Sequence, residues 1–180
     1  KVFHSTNMTG QSISTFDFSH NTLLEDIKLS SSNSSLASPY WFPLNNLILP
    51  QSIRSLDIFG MDKLTSLRKT NYKNLQNLSV EQCYSLDDID FSGCTSLETL
   101  RIVKCRYLDY IKFIGCTGLK TIALEECDWL YDINFSNCSS LQRVHFANQE
   151  GWQYESGGTK VNVTNDQDNA KELRSVTSST

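Results

Sequence analysis

Between Cys83 and Asn148 the apolar positions follow one template, L-x-x-[IL]-x-[FIL]-x-x-C, repeated every eleven residues. Leu86, Ile89, Phe91 and Cys94 fill one unit, and Leu97, Leu100, Ile102 and Cys105 fill the next. Leu108, Ile111, Phe113 and Cys116 follow, then Leu119, Ile122, Leu124 and Cys127, then Leu130, Ile133, Phe135 and Cys138, and last Leu141, Val144 and Phe146. The apolar-polar-apolar triplet inside each unit has the two-residue alternation of a short strand with one buried face. Alternate units differ at the third apolar position. One set carries Phe91, Phe113 and Phe135; the other carries Val80, Ile102, Leu124 and then Phe146. The period is therefore twice eleven, one coil of about 22 residues holding two strand-like segments. A fixed period of this kind is the signature of a stacked solenoid. Coils stacked about 4.8 Å apart would hydrogen-bond to one another and merge their Leu, Ile and Phe columns into one core. Each large side chain so buried contributes about 1.5–3 kcal/mol.

The pattern extends unevenly in both directions. Residues 1–12 show no pattern and read as a cap or ragged start, with Val2 and Phe3 as its candidate apolar contacts. The repeat region is set at 13–148. Ile13, Phe16, Phe18 and Asn21 match the template with Asn21 in the later cysteine position, and Leu24, Ile27 and Leu29 follow. Residues 30–43, from a Ser-rich run to an aromatic cluster between Pro39 and Pro43, break the period and read as an inserted loop. It resumes at Leu44, Leu47 and Leu49, takes a shorter corner to Ile53, Leu56 and Ile58, and is irregular again over Lys69 to Lys73, where a phenylalanine and a cysteine would otherwise fall. Residues 149–180 end it with a turn, a strand over Lys160–Val163 and a short helix capped by Thr164 or Asn165 and running through Leu173. A terminal element unlike the repeat is what a solenoid needs to cover its last apolar face.

The template resembles the leucine-rich repeat family, whose L-x-x-L-x-L-x-x-N/C-x-L core and 20–29-residue period it matches. It is most similar to internalin-like and Bacteroidetes-type bacterial surface repeats, which have two half-turns per coil. Leu86-Asp-Asp-Ile89-Asp90-Phe91-Ser92-Gly93-Cys94-Thr95 reads like their second half-turn, with cysteine in place of the usual asparagine. The resemblance implies a mainly β fold: a right-handed coil with two parallel strand stacks.

All six cysteines sit at corners, in two columns, Cys83/Cys105/Cys127 and Cys94/Cys116/Cys138. Disulfides, zinc, a nucleophile and simple packing all compete for them. Thiols adjacent in a column would have Cα atoms roughly 5 Å apart, within disulfide range. Yet three per column cannot all pair, and parallel side chains aimed at the core behave as small hydrophobes. The C-x-x-C spacing of metal sites is absent, and no cysteine is singled out from the repeat. Free buried thiols are the expectation. His4, His20 and His145 lack a motif-set partner, and no G-x-S-x-G, P-loop or H-E-x-x-H occurs. The reading is a non-enzyme with no cofactor and no metal.

A net charge of −4 does not suggest nucleic acid, and no apolar run approaches the roughly 18 residues that cross a bilayer. The start at Lys1, without Met or a signal-type apolar region, reads as a processed chain or a piece of a longer one. What remains for function is surface. The family implies ligand contact on the concave sheet, taken as the aliphatic set, whose outward residues include Thr99, Arg101, Thr121, Arg143 and His145. The other side carries an aromatic and acidic ridge that includes Tyr107, Trp129, Tyr110 and Tyr131, residue types favoured at interfaces. The expected partner is a protein or carbohydrate on another surface, met by a secreted or cell-surface adhesion module. A spacer in a larger surface assembly or a phage tail is the alternative.

Overall fold

The structure, a computed structural model, describes residues 1–8, 13–31, 43–130, 132–147, 153–157, 162–165 and 172–177. Within 153–157, 162–165 and 172–177 only the backbone course is described, and the same holds for Asn7, Met8 and Asp132.

In chain order the strands are β1 (Val2–Met8), β2 (Thr15–Asp17), β3 (Asp26–Ser31), β4 (Asn46–Ile48), β5 (Ser55–Phe59), β6 (Ser66–Arg68), β7 (Asn77–Glu81) and β8 (Asp88–Asp90). They continue as β9 (Thr99–Val103), β10 (Tyr110–Lys112), β11 (Thr121–Glu125), β12 (Asp132–Asn134), β13 (Arg143–Ala147), β14 (Gln153–Gly157), β15 (Asn162–Asn165) and β16 (Glu172–Thr177). Odd strands stack in one parallel sheet, β1-β3-β5-β7-β9-β11-β13-β15. Even strands form the opposite side in two pieces, β2-β4 and β14-β16-β12-β10-β8-β6. From β5 to β13 and from β6 to β12 the register advances by 22 residues per rung: Leu78 lies beside Leu100, Ile122 beside Leu100 and beside Val144, and Ile89 beside Ile111. The parallel-strand solenoid implied by the repeat is the fold.

The described corners from Asn21 to Cys138 close in the same way. The N–H three residues after the corner residue donates to that residue's carbonyl: Leu86 to Cys83 at 3.1 Å, Leu97 to Cys94 at 3.0 Å, Leu119 to Cys116 at 3.0 Å. Leu24 bonds to Asn21 likewise, Ile53 to Pro50, Leu64 to Met61 and Leu75 to Tyr72. So the corner tolerates Asn, Pro, Met, Tyr and Cys, because its bond uses only backbone. Just before the corner the backbone turns left-handed, at Gly60, Gly93 and Gly115 but also at Asn71, Gln82, Lys104, Glu126 and Asn137. For a side chain other than glycine that conformation costs roughly 1–2 kcal/mol. The core is one continuous column in which Leu67, Phe91, Phe113, Leu100, Ile122 and Leu124 are fully or almost fully buried. Phe91 and Phe113 stack at 6.1 Å between ring centroids.

Three expectations meet differences or limits. The helix from Thr164 or Asn165 through Leu173 is not formed at its described ends: Thr164 and Asn165 close β15, and Leu173 lies in β16. β13 would otherwise be an edge of the odd sheet, and β15 pairs onto it, which satisfies a row of backbone groups that a helix would leave open. Residues 166–171 lie outside the described residues, as do 32–42 of the inserted loop; Ser30 and Ser31 belong to β3. Residues Val2–Met8, patternless in sequence, head the odd sheet beside β3.

Candidate functional site

The thiols can be judged first, because they are the most reactive groups present. All six are free and buried. Each donates to a carbonyl of its own or the preceding rung. The distances are 3.4 Å from Cys94 to Lys69, 3.2 Å from Cys116 to Phe91 and 3.0 Å from Cys138 to Phe113. Cys105 and Cys127 reach Val103 at 3.6 Å and Glu125 at 3.4 Å. Burial pushes the Cys94 thiol up to about 11 and the Cys127 thiol up to about 12. Contact with Cys83, and then burial, raises Cys105 as well. A thiol that keeps its proton is a poor nucleophile. Tyr72 stands where a cysteine would and does the same work, its hydroxyl donating to Leu49 O at 3.1 Å. No group of three or more His, Cys, Asp or Glu that could hold a metal ion occurs among the described residues.

One Ser–His contact looks catalytic until its neighbours are compared. Ser19 Oγ lies 3.1 Å from His20 Nδ1, with Asp17 beside them. But Asp17 Oδ1 accepts the Ser19 N–H at 2.8 Å, as Asp90 accepts from Ser92 at 2.9 Å and Asn134 from Ser136 at 3.0 Å. This is one turn repeated in three coils, an Asx turn that ends each strand. The Ser19 hydrogen bonds hold the Asp17 carboxyl below its ordinary range. An open depression of about 540 Å³ adjoins it, lined by Phe3, Phe18, His20 and Leu23 among others.

The odd sheet presents the first predicted surface. Thr99, Arg101, Thr121, Arg143 and His145 do lie on neighbouring rungs, with Thr121 between Thr99 and Arg143 and with Ala123 between Arg101 and His145. The ladder is largely self-matched. Arg101 meets Glu81 at 2.9 Å and Glu125 at 3.8 Å. Thr99 donates to Asn77 at 2.7 Å, and Lys28 pairs with Asp57 at 2.8 Å. Such exposed pairs contribute little to stability, but the charge that Arg101 would offer a ligand is already countered.

The second predicted surface divides. Tyr110 is exposed on β10, between Asp88 and Asp132 in the even sheet. Asp88 is buried and bound by Arg68. Burial raises its carboxyl, but the Arg68 and Ser66 hydrogen bonds and the Arg68 charge outweigh this and hold it below the usual range. The Arg68–Asp88 pair was not found in the sequence; its signal was the even-sheet column Ser66/Asp88, legible only once the register is known. Tyr107 and Trp129 occupy the same corner position on adjacent rungs, 53% and 68% exposed, with ring centroids 6.0 Å apart and planes inclined at 51°. Tyr131 lies outside the described residues.

Residues 69–154 match six copies of the family described as BspA type Leucine rich repeat region. Among solved structures, a leucine-rich repeat protein from Bacteroides ovatus is similar at 16% identity with a TM-score of 0.24, over 75% of this chain. This chain spans about half, 53%, of that protein's chain. No curated protein matches.

Proposed function

On the premise that residues 69–154 are a run of leucine-rich repeats, we propose that this chain is a non-enzymatic recognition module that binds a ligand through its aromatic ridge. The observation that carries the reading is the Tyr107–Trp129 pair. Two large rings stand more than half exposed, side by side, on a framework whose phenylalanines are buried from Phe91 to Phe146. Rigid aromatics are the side chains that carry most binding energy at recognition surfaces. Within the odd sheet, Arg101 is ion-paired and Thr99 hydrogen-bonded to neighbouring rungs, which leaves that face the weaker candidate. Repeats of this type are typical of bacterial surface and secreted proteins, which supports an extracellular or cell-surface setting for the module.

The experiment is a binding screen of the chain against extracellular proteins and glycans, repeated with Trp129→Ala, Tyr107→Ala and Arg101→Ala. The ridge variants lose binding and Arg101→Ala keeps it. Binding that survives both ridge substitutions overturns the assignment of the surface. A structural spacer is the second reading, favoured by the uninterrupted eight-stranded sheet; a chain that binds nothing in the screen would support it.

A further inference from the structure

We propose that the ligand of the Tyr107–Trp129 ridge is a neutral carbohydrate chain whose sugar rings stack on the two aromatic faces. The inference rests on the recognition reading above and narrows it to one ligand class.

Three observations carry it. First, among the described residues little exposed apolar surface adjoins the rings beyond Tyr110, three residues past Tyr107. The other large exposed hydrophobics among the described residues are Val2, Ile13 and Leu23 in the first coil, Tyr110 in the even sheet and Ile114 at the opposite corner. A protein partner wants its aromatic anchor inside a wider patch that excludes water. The surroundings here do not provide one. Second, the rings are framed by hydrogen-bonding groups of opposite sign. Arg106 and Asp128, each next to its ring in sequence, are exposed, and Ser85 is exposed at the ring position one rung earlier. Arg106 is opposed by Asp128 and by Asp109, two residues past Tyr107, so these charges give no net attraction for an acidic ligand. They do offer donors and acceptors to hydroxyl groups. A pyranose has the matching chemistry, with an apolar C–H face for a ring and a rim of hydroxyls for the polar frame. Third, the platform is periodic. The corner column Ser85, Tyr107, Trp129 advances by one 22-residue rung per position. A ligand made of repeating units can place successive units on successive rungs, as a compact small molecule cannot.

The periodicity supplies a test that a merely structural role for the aromatics would not pass. The chain is run by affinity electrophoresis and calorimetry against defined neutral polysaccharides: mixed-linkage β-glucan, xyloglucan, galactomannan and yeast mannan. Heparin and polygalacturonate are the charged controls. At least one neutral polymer retards the wild-type chain, and the charged controls do not. Trp129→Ala weakens that binding about 30-fold, the loss typical of a hot-spot aromatic, while the melting temperature is unchanged because the ring is solvent-exposed. Trp129→Phe, which keeps an apolar face, restores part of it. Ser85→Trp extends the platform by one rung and tightens binding to long oligosaccharides more than to short ones. Two outcomes overturn the proposal: retention by none of the four neutral polymers, or binding to one of them that Trp129→Ala leaves intact. If a protein ligand from the wider screen is lost on Trp129→Ala while all four polysaccharides fail, the carbohydrate assignment falls and the recognition module stands.

Discussion

The sulfur of Cys116 donates to the carbonyl oxygen of Phe91 at 3.2 Å, across the boundary between two rungs and 25 residues of chain. The neighbouring corner residue Cys138 repeats this with Phe113 at 3.0 Å. The cysteines of this column thus do more than fill space. Each brings a second donor to a strand-end carbonyl of the coil before it, which already accepts the N–H of that coil's own corner residue: Cys94 N to Phe91 O at 3.2 Å and Cys116 N to Phe113 O at 3.1 Å. Replacing Cys116 by Ala leaves that buried carbonyl without the sulfur donor and opens a small void. Phe91 O keeps the Cys94 N–H, so the expected loss is about 0.5–1.5 kcal/mol for the one hydrogen bond, with a cavity contribution on top. Urea unfolding of Cys116→Ala measures it; a midpoint equal to wild type would show that the sulfur is mere filler.

Buried thiols also set the response to alkali. An unfolded cysteine ionises near pH 8.5, whereas Cys94 is raised to about 11 and Cys127 to about 12 by burial. Between these values the unfolded chain gives up thiol protons that the folded chain keeps. Stability from these groups is therefore complete below about pH 8.5 and declines as pH rises toward their folded values, at up to about 1.4 kcal/mol per unit for each thiol. Burial raises Tyr72 and Tyr84 in the same direction, while it lowers Lys69 and opposes them. Urea midpoints should fall steadily from pH 8.5 to 11, and a Cys94→Val, Cys127→Val double variant should show a shallower fall. In the same experiment at neutral pH, thiol reagents should label all six cysteines only after unfolding.

Among the described glycines, Gly118 lies tightest against the backbone of a neighbouring rung. A Cβ there would stand 2.6 Å from Thr95 O and 3.2 Å from Leu97 O, both backbone atoms. Gly118 N also bonds to Thr95 O at 3.0 Å, so the two chain segments cannot separate without losing that bond. Gly118→Ala should destabilise by about 1–3 kcal/mol, the usual range for forced overpacking. Ser140→Ala, one rung later at the same template position, serves as the control and should be near neutral.

Gln82 predicts the opposite sign. It holds a left-handed backbone at φ 54° one residue before its cysteine, where Gly60 stands in the coil before. Gln82→Gly relieves about 1–2 kcal/mol of backbone strain against about 0.4–1 kcal/mol of added freedom in the unfolded chain. A gain of about 0.5–1 kcal/mol is expected from that difference. A lower melting temperature for Gln82→Gly would show that side-chain contacts of Gln82 outweigh the strain.

The residue pattern alone sets the coil length, the two strands per coil, the inward columns and the burial of the cysteines. All of these follow from local rules: a two-residue alternation fixes the buried face of a strand, and an eleven-residue spacing fixes where the next one begins. It also placed Tyr107 and Trp129 at equivalent corners. What meets what across rungs is set by the packing of coil on coil, because those contacts join residues that are 20 to 25 apart. Stacking brought the two rings to 6.0 Å and matched Arg101 with two glutamates, which separated the ridge from the odd sheet as candidate surfaces. It set Arg68 on Asp88. It parted the even sheet between β4 and β6, where the shortened corner at Pro50 and the irregular turn at Lys69–Lys73 are spanned by Tyr72 and Asn74 side chains bonded to Leu49 O and Gln51 O. It also drew Asn162–Asn165 onto the edge of β13, where the local signal pointed to a helix. Capping residues such as Thr164 and Asn165 express only a local preference of about 1 kcal/mol, and a row of open backbone groups on a neighbouring strand outweighs it.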